Sequence, residues 1–208
     1  MEKKTFMKRI IVKDHSGNAR EISETAVLTF KSHSSVSEYC GTFHVTLRND
    51  NGLNTKDVEP KEEMEIWAGY KEEGLSKVMA GYIDKVTLSK NEESVEVVEI
   101  FGRSYESLLF EIKTSAKIEY TKGLSEVVRE ILKGSPFDLK GILDSKGTGV
   151  VIVRSTPVID VIRQISEENM WVFRIDYDKV AHFEPLDLSP KTHTLKPEDM
   201  KSYKITKS

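Results

Sequence analysis

The chain has 208 residues, 38% of them hydrophobic, a length that suffices for one or two packed domains. Charged residues make up 31% but nearly balance at a formal net charge of −3, which excludes the basic composition of a nucleic-acid-binding protein, so we expect no stable nucleic-acid binding. The single cysteine, Cys40, excludes an intramolecular disulfide, and no apolar run approaches the roughly 20 residues of a transmembrane helix, so we expect no membrane-spanning segment.

Residues from about 7 to 103 carry short β-branched or aromatic runs separated by turn residues, which predicts strands. In the clearest run Phe43, Val45 and Leu47 alternate with polar residues, the period of a strand with one buried face. The predicted strands are centred on residues 10–12, 26–30, 43–48, 64–67, 78–83 and 95–100. Strands at such spacing favour an antiparallel sandwich or barrel over alternating strands and helices.

The pattern changes after Gly102, where apolar residues take up helical spacing. A first amphipathic helix should end near Gly134, and its apolar stripe consists of Leu124, Val127, Val128, Ile131 and Leu132. A second helix should be capped by Ser155 or Thr156, with Pro157 at its first position. The stripe of that helix consists of Val158, Val161, Ile162 and Ile165.

Three further strands are predicted in this second half. Gly149–Val153 has the composition of a buried strand between the two helices. Trp171–Ile175 and Val180–Phe183 are typical of a hairpin around the turn Asp176–Lys179.

The fold class predicted from these elements is mainly β with α+β. An antiparallel β domain, either a sandwich or a barrel, should span residues 1–112, and a small α+β module with two helices should span residues 113–187. The polar stretch 188–208 should be the start of an incomplete second β domain or a tail.

Two groups of residues invite comparison with catalytic nucleophiles. Cys40 and His44 could form a thiol–imidazole pair, but the sequence offers no third group to orient them, and a half-buried structural cysteine is the better interpretation. Gly102–Glu106 begins like a nucleophile elbow, yet Glu106 stands where glycine is needed and no parallel sheet is predicted. Neither group predicts a catalytic site.

A phosphate-binding loop is also a poor match. Gly141–Thr148 contains Lys146, Gly147 and Thr148 in the inverse of the required order, and a predicted strand rather than a helix follows. We interpret this stretch as a glycine turn.

The sequence shows neither the spacing of metal ligands nor a pair of catalytic acids. The histidines are dispersed, without the short spacing of a zinc site, at positions 15, 33, 44, 182 and 193. Four pairs of adjacent glutamates are expected to lie in solvent-exposed connecting segments: Glu62–Glu63, Glu72–Glu73, Glu92–Glu93 and Glu167–Glu168. Trp67 and Trp171 are expected to pack in the core. We therefore predict no catalytic, cofactor-binding or metal-binding residues, and no cofactor.

The succession of the segments is more informative than any one of them. Phe43–Asn49 followed by Gly52 resembles the strand-and-turn opening of the late control protein D and baseplate-hub family of phage tails. Further segments are similar to that family in order and spacing, namely Met64–Gly69, Ala80–Asp84, Val97–Ser104, the helix around Val127, Val128 and Ile131, the capped helix at Thr156–Pro157, and Asn169–Phe173 leading to Phe183–Pro185. The resemblance covers nearly the whole chain.

This resemblance implies a tail-tube-like barrel and a structural role in a phage or phage-derived tail hub or baseplate. Members of the family look like trimers in which two similar barrels per subunit form a pseudo-sixfold ring between the tail tube above and a spike below. The resemblance thus implies a homo-oligomer, other tail proteins of the tube, spike and baseplate as partners, and a virion tail assembled in the host cytoplasm. That the chain is not an enzyme is predicted from its residues, among which no catalytic group is found.

Two alternatives remain open at this stage. In a cell-surface or carbohydrate-binding β module, exposed aromatic residues such as Trp67, Tyr70 and Tyr82 would form a ligand platform. The chain could also be the non-catalytic part of a tail-associated cell-wall hydrolase, whose activity would require a further domain.

Overall fold

The structure is a computed structural model that describes residues 5–35, 38–49, 58–90, 96–114, 123–145 and 155–186. The first sheet contains seven strands, which are β1 (Phe6–Lys13), β2 (Ala19–Ile22), β3 (Val27–Ser35), β4 (Glu38–Arg48), β5 (Glu63–Tyr70), β6 (Gly74–Lys90) and β7 (Glu96–Ser104). A 3-10 turn follows at Tyr105–Ser107. The remaining elements are α1 (Leu108–Glu111), α2 (Leu124–Ile131), β8 (Asp138–Ile142), α3 (Val158–Asn169), β9 (Trp171–Ile175) and β10 (Val180–Pro185).

The first sheet is antiparallel throughout and has the order β2-β1-β5-β6-β7-β4-β3. Its two edge strands, β2 and β3, are consecutive in the chain and are joined by residues 23–26 alone. Four residues cannot span an unrolled sheet of seven strands spaced about 4.8 Å apart, so the sheet is rolled until its edges meet. The edge strands are not hydrogen-bonded to each other, and the barrel is therefore not closed by a ladder within the described ranges.

The interior of the rolled sheet is filled by alternate residues of its strands. Met64 and Ile66 of β5 are fully buried beside Ile10 of β1 and Val45 of β4. Ile22 and Val27, at the ends of the two edge strands, belong to the same cluster, as expected if the roll surrounds one core. Each such side chain stabilises the fold by roughly 1.5–3 kcal/mol relative to its exposed state.

A second core lies between the helices and a three-stranded sheet with the order β8-β10-β9. β10 is parallel to β8 and antiparallel to β9. The stripes of α2 and α3 pack there, with Val127, Val128 and Ile162 completely buried against Phe183 of β10. Gly134, just beyond α2, has a φ of +91°, a conformation that glycine adopts without strain.

The mainly β class with an α+β part is confirmed, as are both helices and the β9–β10 hairpin. One prediction about α3 was wrong. Pro157 does not occupy the first helical position but precedes the helix in an extended conformation, because residues 155–158 hydrogen-bond to the backbone of residues 112–114. The N-cap position is occupied by Pro157, which makes no side-chain capping bond, and not by Ser155 or Thr156 as predicted.

The interpretation of Gly141–Thr148 as a turn was also partly wrong. Gly141 and Ile142 belong to β8, where an added Cβ at Gly141 would lie 2.7 Å from the Ala181 carbonyl oxygen. The close approach of β10 explains the glycine. The predicted strand Gly149–Val153 and the stretch 188–208 lie outside the described residues, and the domain limits stay a prediction.

None of the helices in the described ranges is both long enough and apolar enough to cross a lipid bilayer.

Candidate functional site

A cavity of about 460 Å³ lies where the rolled sheet meets the second sheet. Tyr39, Cys40 and Gly41 at the start of β4 line one side, and residues 172–177 of β9 and its turn line another. Ser104 and Glu106, at the end of β7 and in the 3-10 turn, also line it. The site is therefore assembled from chain segments more than 60 residues apart.

Glu106 is the most unusual residue of this cavity, because its carboxyl group is buried with few partners. Only 9% of the residue is exposed. Its Oε1 accepts a hydrogen bond from the Ile175 backbone N–H at 2.8 Å, whereas Oε2 has no hydrogen-bond partner among the described residues. Burial raises the pKa of Glu106, opposed by the nearby Ser104 hydroxyl and the Ile175 N–H. The side chain thus links the rolled sheet to β9.

Cys40 does not form a nucleophile–base pair with His44. The two residues are four positions apart on β4, about 13 Å along an extended strand. His44 stacks on Phe101 with ring centroids 4.1 Å apart, while the Cys40 sulfur lies 3.5 Å from the Ser104 hydroxyl. Burial raises the pKa of the Cys40 thiol, which disfavours the reactive thiolate.

The Gly102–Glu106 segment has no elbow geometry either. Ser104 ends β7 in an antiparallel sheet, and its hydroxyl accepts a hydrogen bond from the Gly41 N–H at 2.8 Å. Its role is to hold β4 against β7. In the sequence Glu106 stands out only as a mismatch to the elbow motif, and no pattern around it indicates burial.

A cluster of charges occupies the outer face of β5, beside the cavity. Glu65 is 6% exposed, and its carboxylate lies 2.7 Å from the Lys13 ammonium, 3.3 Å from Lys77 and 3.2 Å from the Trp67 indole nitrogen. Burial alone would raise the pKa of Glu65, but Lys13, Lys77 and Trp67 together hold it below its usual value. This carboxylate is therefore ionised in the folded protein at neutral pH.

The same cluster reaches across to the β9–β10 turn. Lys77 bonds the Asp178 carboxylate at 2.8 Å and the Tyr177 carbonyl oxygen at 3.1 Å. Lys179 pairs with Glu63, which also accepts a hydrogen bond from the Tyr105 hydroxyl at 3.3 Å. These contacts, which we call the ionic junction, tie the first sheet to the second.

The interpretation of Glu62–Glu63 as a solvated connector was wrong. Glu62 is 5% exposed because it pairs with Arg20 at 2.9 Å and accepts the Glu59 N–H, and Glu63 belongs to the ionic junction. Two other pairs behave as predicted, with Glu72–Glu73 in an exposed turn and Glu167–Glu168 exposed near the end of α3. Glu92–Glu93 lie outside the described residues.

Metal-binding side chains do not converge in the part of the chain that the structure describes, where no group of three or more histidine, cysteine or acidic residues could hold an ion. His182 instead bonds Asp176 at 2.9 Å, and Asp176 caps the β9–β10 turn by accepting the Asp178 and Val180 N–H groups. His193 lies outside the described residues.

The aromatic residues considered for a carbohydrate platform do not share one surface. Tyr82 pairs with Glu63 and Tyr70 with Gly74 across β5 and β6, a separation of about 23 Å along β5. Tyr82 packs edge-on against the buried Tyr105. Trp67 is half-buried under Lys77 and belongs to neither core of the described residues, so the expectation that it packs in the core was wrong. Trp171 packs on Phe183 with ring centroids 4.7 Å apart, so its expected packing role is confirmed.

Comparison with solved structures finds this fold in tail proteins. The tail protein from Neisseria meningitidis MC58 matches with a TM-score of 0.60 at 12% identity, over 86% of this chain and 51% of its own. The 43 kDa tail protein of prophage MuSo2 from Shewanella oneidensis matches with a TM-score of 0.58 at 12% identity, over 86% of this chain and 56% of its own. A chain of a PdpA–VgrG complex from Francisella matches with a TM-score of 0.60 at 11% identity, over 95% of this chain and 32% of its own.

The chain spans about half the length of the two tail proteins that it matches. At 11–12% identity the likeness establishes a shared fold. None of these three descriptions names an enzymatic activity. No family model matches the sequence, and no curated protein matches it.

Proposed function

We propose that the chain is a structural component of the tail of a phage, prophage or phage-derived particle. More narrowly, it is a hub or baseplate protein of the late control protein D type that joins the tail tube to the tip. Its partners are other copies of itself, with a trimer as the expected state, and tube, spike and baseplate proteins. Its place is the virion tail, after assembly in the host cytoplasm, and it has no catalytic role.

One observation carries this proposal: the rolled sheet and the α+β part together match tail proteins from two bacteria over 86% of the chain. A match to an isolated barrel would be weaker support, because small β-barrels serve many unrelated functions. The same succession of strands and helices underlies the resemblance of the sequence to the hub family.

An exposed apolar group at the seam of the rolled sheet supports an assembling role. Phe6 is 52% exposed and meets Tyr70, 41% exposed, with ring centroids 5.9 Å apart. Leu28 and Phe30 of β3 line a shallow recess together with Phe6. The outer edge of β3 has no strand partner in the described ranges, and an unpaired edge beside apolar side chains is a surface that oligomers cover.

The test is removal of the gene from its host, followed by electron microscopy of the particles released on induction. We expect tails that lack a joined tip and have lost infectivity or delivery, and restoration of both by the gene supplied in trans. Intact tails with full activity would overturn the proposal.

Oligomerisation is tested separately by the mass of the purified chain in solution. We expect an oligomer, and we expect Leu28→Glu to dissociate it, because the new charge would be buried where another subunit covers the seam. Phe110→Glu is the matched control, since Phe110 of α1 is also exposed but lies away from the seam. A monomer at all concentrations, or equal dissociation by both variants, would contradict the assignment of the seam.

A further inference from the structure

The buried carboxyl group of Glu106 is incompletely satisfied. A carboxylate can accept about four hydrogen bonds, yet Oε1 has the Ile175 N–H and Oε2 has no partner within the described part of the chain. A buried oxygen left without a donor is unfavourable, and folded proteins retain such groups mainly where something else supplies the donor. The carboxyl group lies in the wall of a cavity large enough to admit one.

The other charged side chains that line this cavity, Arg174 and Asp176, already have side-chain partners. Arg174 lies 3.4 Å from Glu184, and Asp176 lies 2.9 Å from His182. Glu106 is thus the one cavity-lining charged group, among the described residues, without an ion-pair partner. The local charge balance favours a cation.

The remaining walls suit an aliphatic stem rather than a small hydrated ion. Tyr39, Tyr177, Phe173 and Met79 supply aromatic and apolar surface to the cavity. Its volume of about 460 Å³ falls within the usual range of ligand cavities, roughly 300–1,000 Å³. Long basic side chains bury their methylene stems against apolar surface while the charged head finds a carboxylate or an aromatic face.

We propose that this cavity receives a lysine or arginine side chain of a partner protein, with the cationic head bound by Glu106. The stem lies between β4 and β9, against Tyr39 and Tyr177. The bond to Glu106 supplies the donor that Oε2 lacks, and it joins the partner to the point where the two sheets meet. Cation binding here does not depend on a role in a tail.

The experiment titrates the full-length, ¹⁵N-labelled chain with N-acetyl-arginine N-methylamide and follows the amide resonances of Ile175 and Gly41. We expect saturable shifts at both amides. The neutral isostere N-acetyl-citrulline N-methylamide should bind about tenfold more weakly, because it keeps the shape and donors but lacks the charge. Free L-arginine should bind no more tightly than the blocked compound, since a partner side chain has no free termini.

Two variants and a control locate the effect. Glu106→Gln keeps an acceptor for the Ile175 N–H and should weaken binding about tenfold. Cys40→Met places a longer side chain into the cavity without changing its charge, and should also block binding. Glu126→Gln, an exposed residue of α2, should bind like the unmodified chain.

Four results would overturn the proposal. These are the absence of saturable shifts, equal binding of the citrulline compound, unchanged binding by both cavity variants, and tighter binding of free arginine, which would indicate a small-molecule site. Because none of the readouts involves tail assembly, their failure is distinguishable from failure of the proposed function.

Discussion

Two buried carboxylates, Glu65 and Glu106, differ in what surrounds them, and their pKa values move in opposite directions. Two ammonium groups and an indole N–H surround Glu65. At Glu106 the Ser104 hydroxyl, the Ile175 N–H and the residue's own backbone N–H favour the charged form, but burial outweighs them. The pH dependence of stability should therefore carry two components of opposite sign.

Glu65→Gln should destabilise the protein by about 1 kcal/mol at pH 7, because it removes a charge that Lys13 and Lys77 stabilise. The lowered pKa of Glu65 means that its contribution is complete above the unfolded-state pKa and is lost as pH falls through the folded-state pKa. Urea unfolding between pH 3 and pH 7 measures this difference. The exposed Glu72→Gln is the control, and a difference from wild type that does not shrink on acidification would contradict the prediction.

Glu106→Gln should have the opposite effect and raise stability at pH 8. A carboxyl group with a raised pKa favours folding most at low pH, and that contribution declines as pH rises from its unfolded-state pKa to its folded-state pKa. Glutamine has no charge to bury and keeps the bond to Ile175. Thermal unfolding at pH 4 and pH 8 should give a larger gain in Tm at pH 8, and an equal change at both would refute the assignment of burial as the cause.

At the scale of elements, the structure follows the sequence pattern wherever one face of an element is buried. Phe43, Val45 and Leu47 predicted β4 because a strand with one buried face alternates, and their side chains are at most 3% exposed. β2 and β8 were not predicted, since β2 buries only Ile22 and β8 only Ile142. Their conformation comes from pairing with distant strands, which a local pattern does not contain.

The contact between β6 and β7 leads to a prediction at Gly81. A Cβ added there would lie 1.9 Å from the Arg103 carbonyl oxygen, and backbone atoms cannot move aside as a flexible side chain can. Gly81→Ala should therefore destabilise the protein by about 3 kcal/mol. Gly134→Asn is the comparison, because the space beside Gly134 is open and only the strain of its positive φ remains, so its loss should be the smaller of the two. Chemical denaturation compares the two, and equal losses would contradict the steric explanation.

For the whole molecule, the decisive contacts join residues far apart in sequence. Lys179 meets Glu63, and Glu106 meets Ile175, across 116 and 69 positions respectively. No spacing rule connects such residues, so the sequence indicated the two structural parts but not the cavity or the ionic junction between them. Glu63 was predicted to be solvated for the same reason, since its partner Lys179 is distant in sequence.

Weakening the ionic junction should loosen the hairpin without unfolding the rolled sheet. Lys77→Met with Lys179→Met keeps most of the aliphatic stems but removes the bonds to Asp178 and Glu63. Amide hydrogen exchange in β9 and β10 should become about tenfold faster, while exchange in β5 and β6 stays slow. Lys85→Met, on the exposed face of β6, is the control, and uniform acceleration in all strands would contradict a local effect.

The continuity of β2 and β3 has a mechanical consequence. Residues 19–35 run in one direction along the seam, where they pair first with β1 and then with β4. A single stretch of backbone therefore links the two edges of the rolled sheet. Separating the two edges while that stretch is intact would require breaking the pairing of β2 with β1 or that of β3 with β4. A protease cut within residues 23–26 would remove this covalent link, and the two edges, which share no hydrogen-bonded ladder in the described ranges, would then be held together by the packing of their common core.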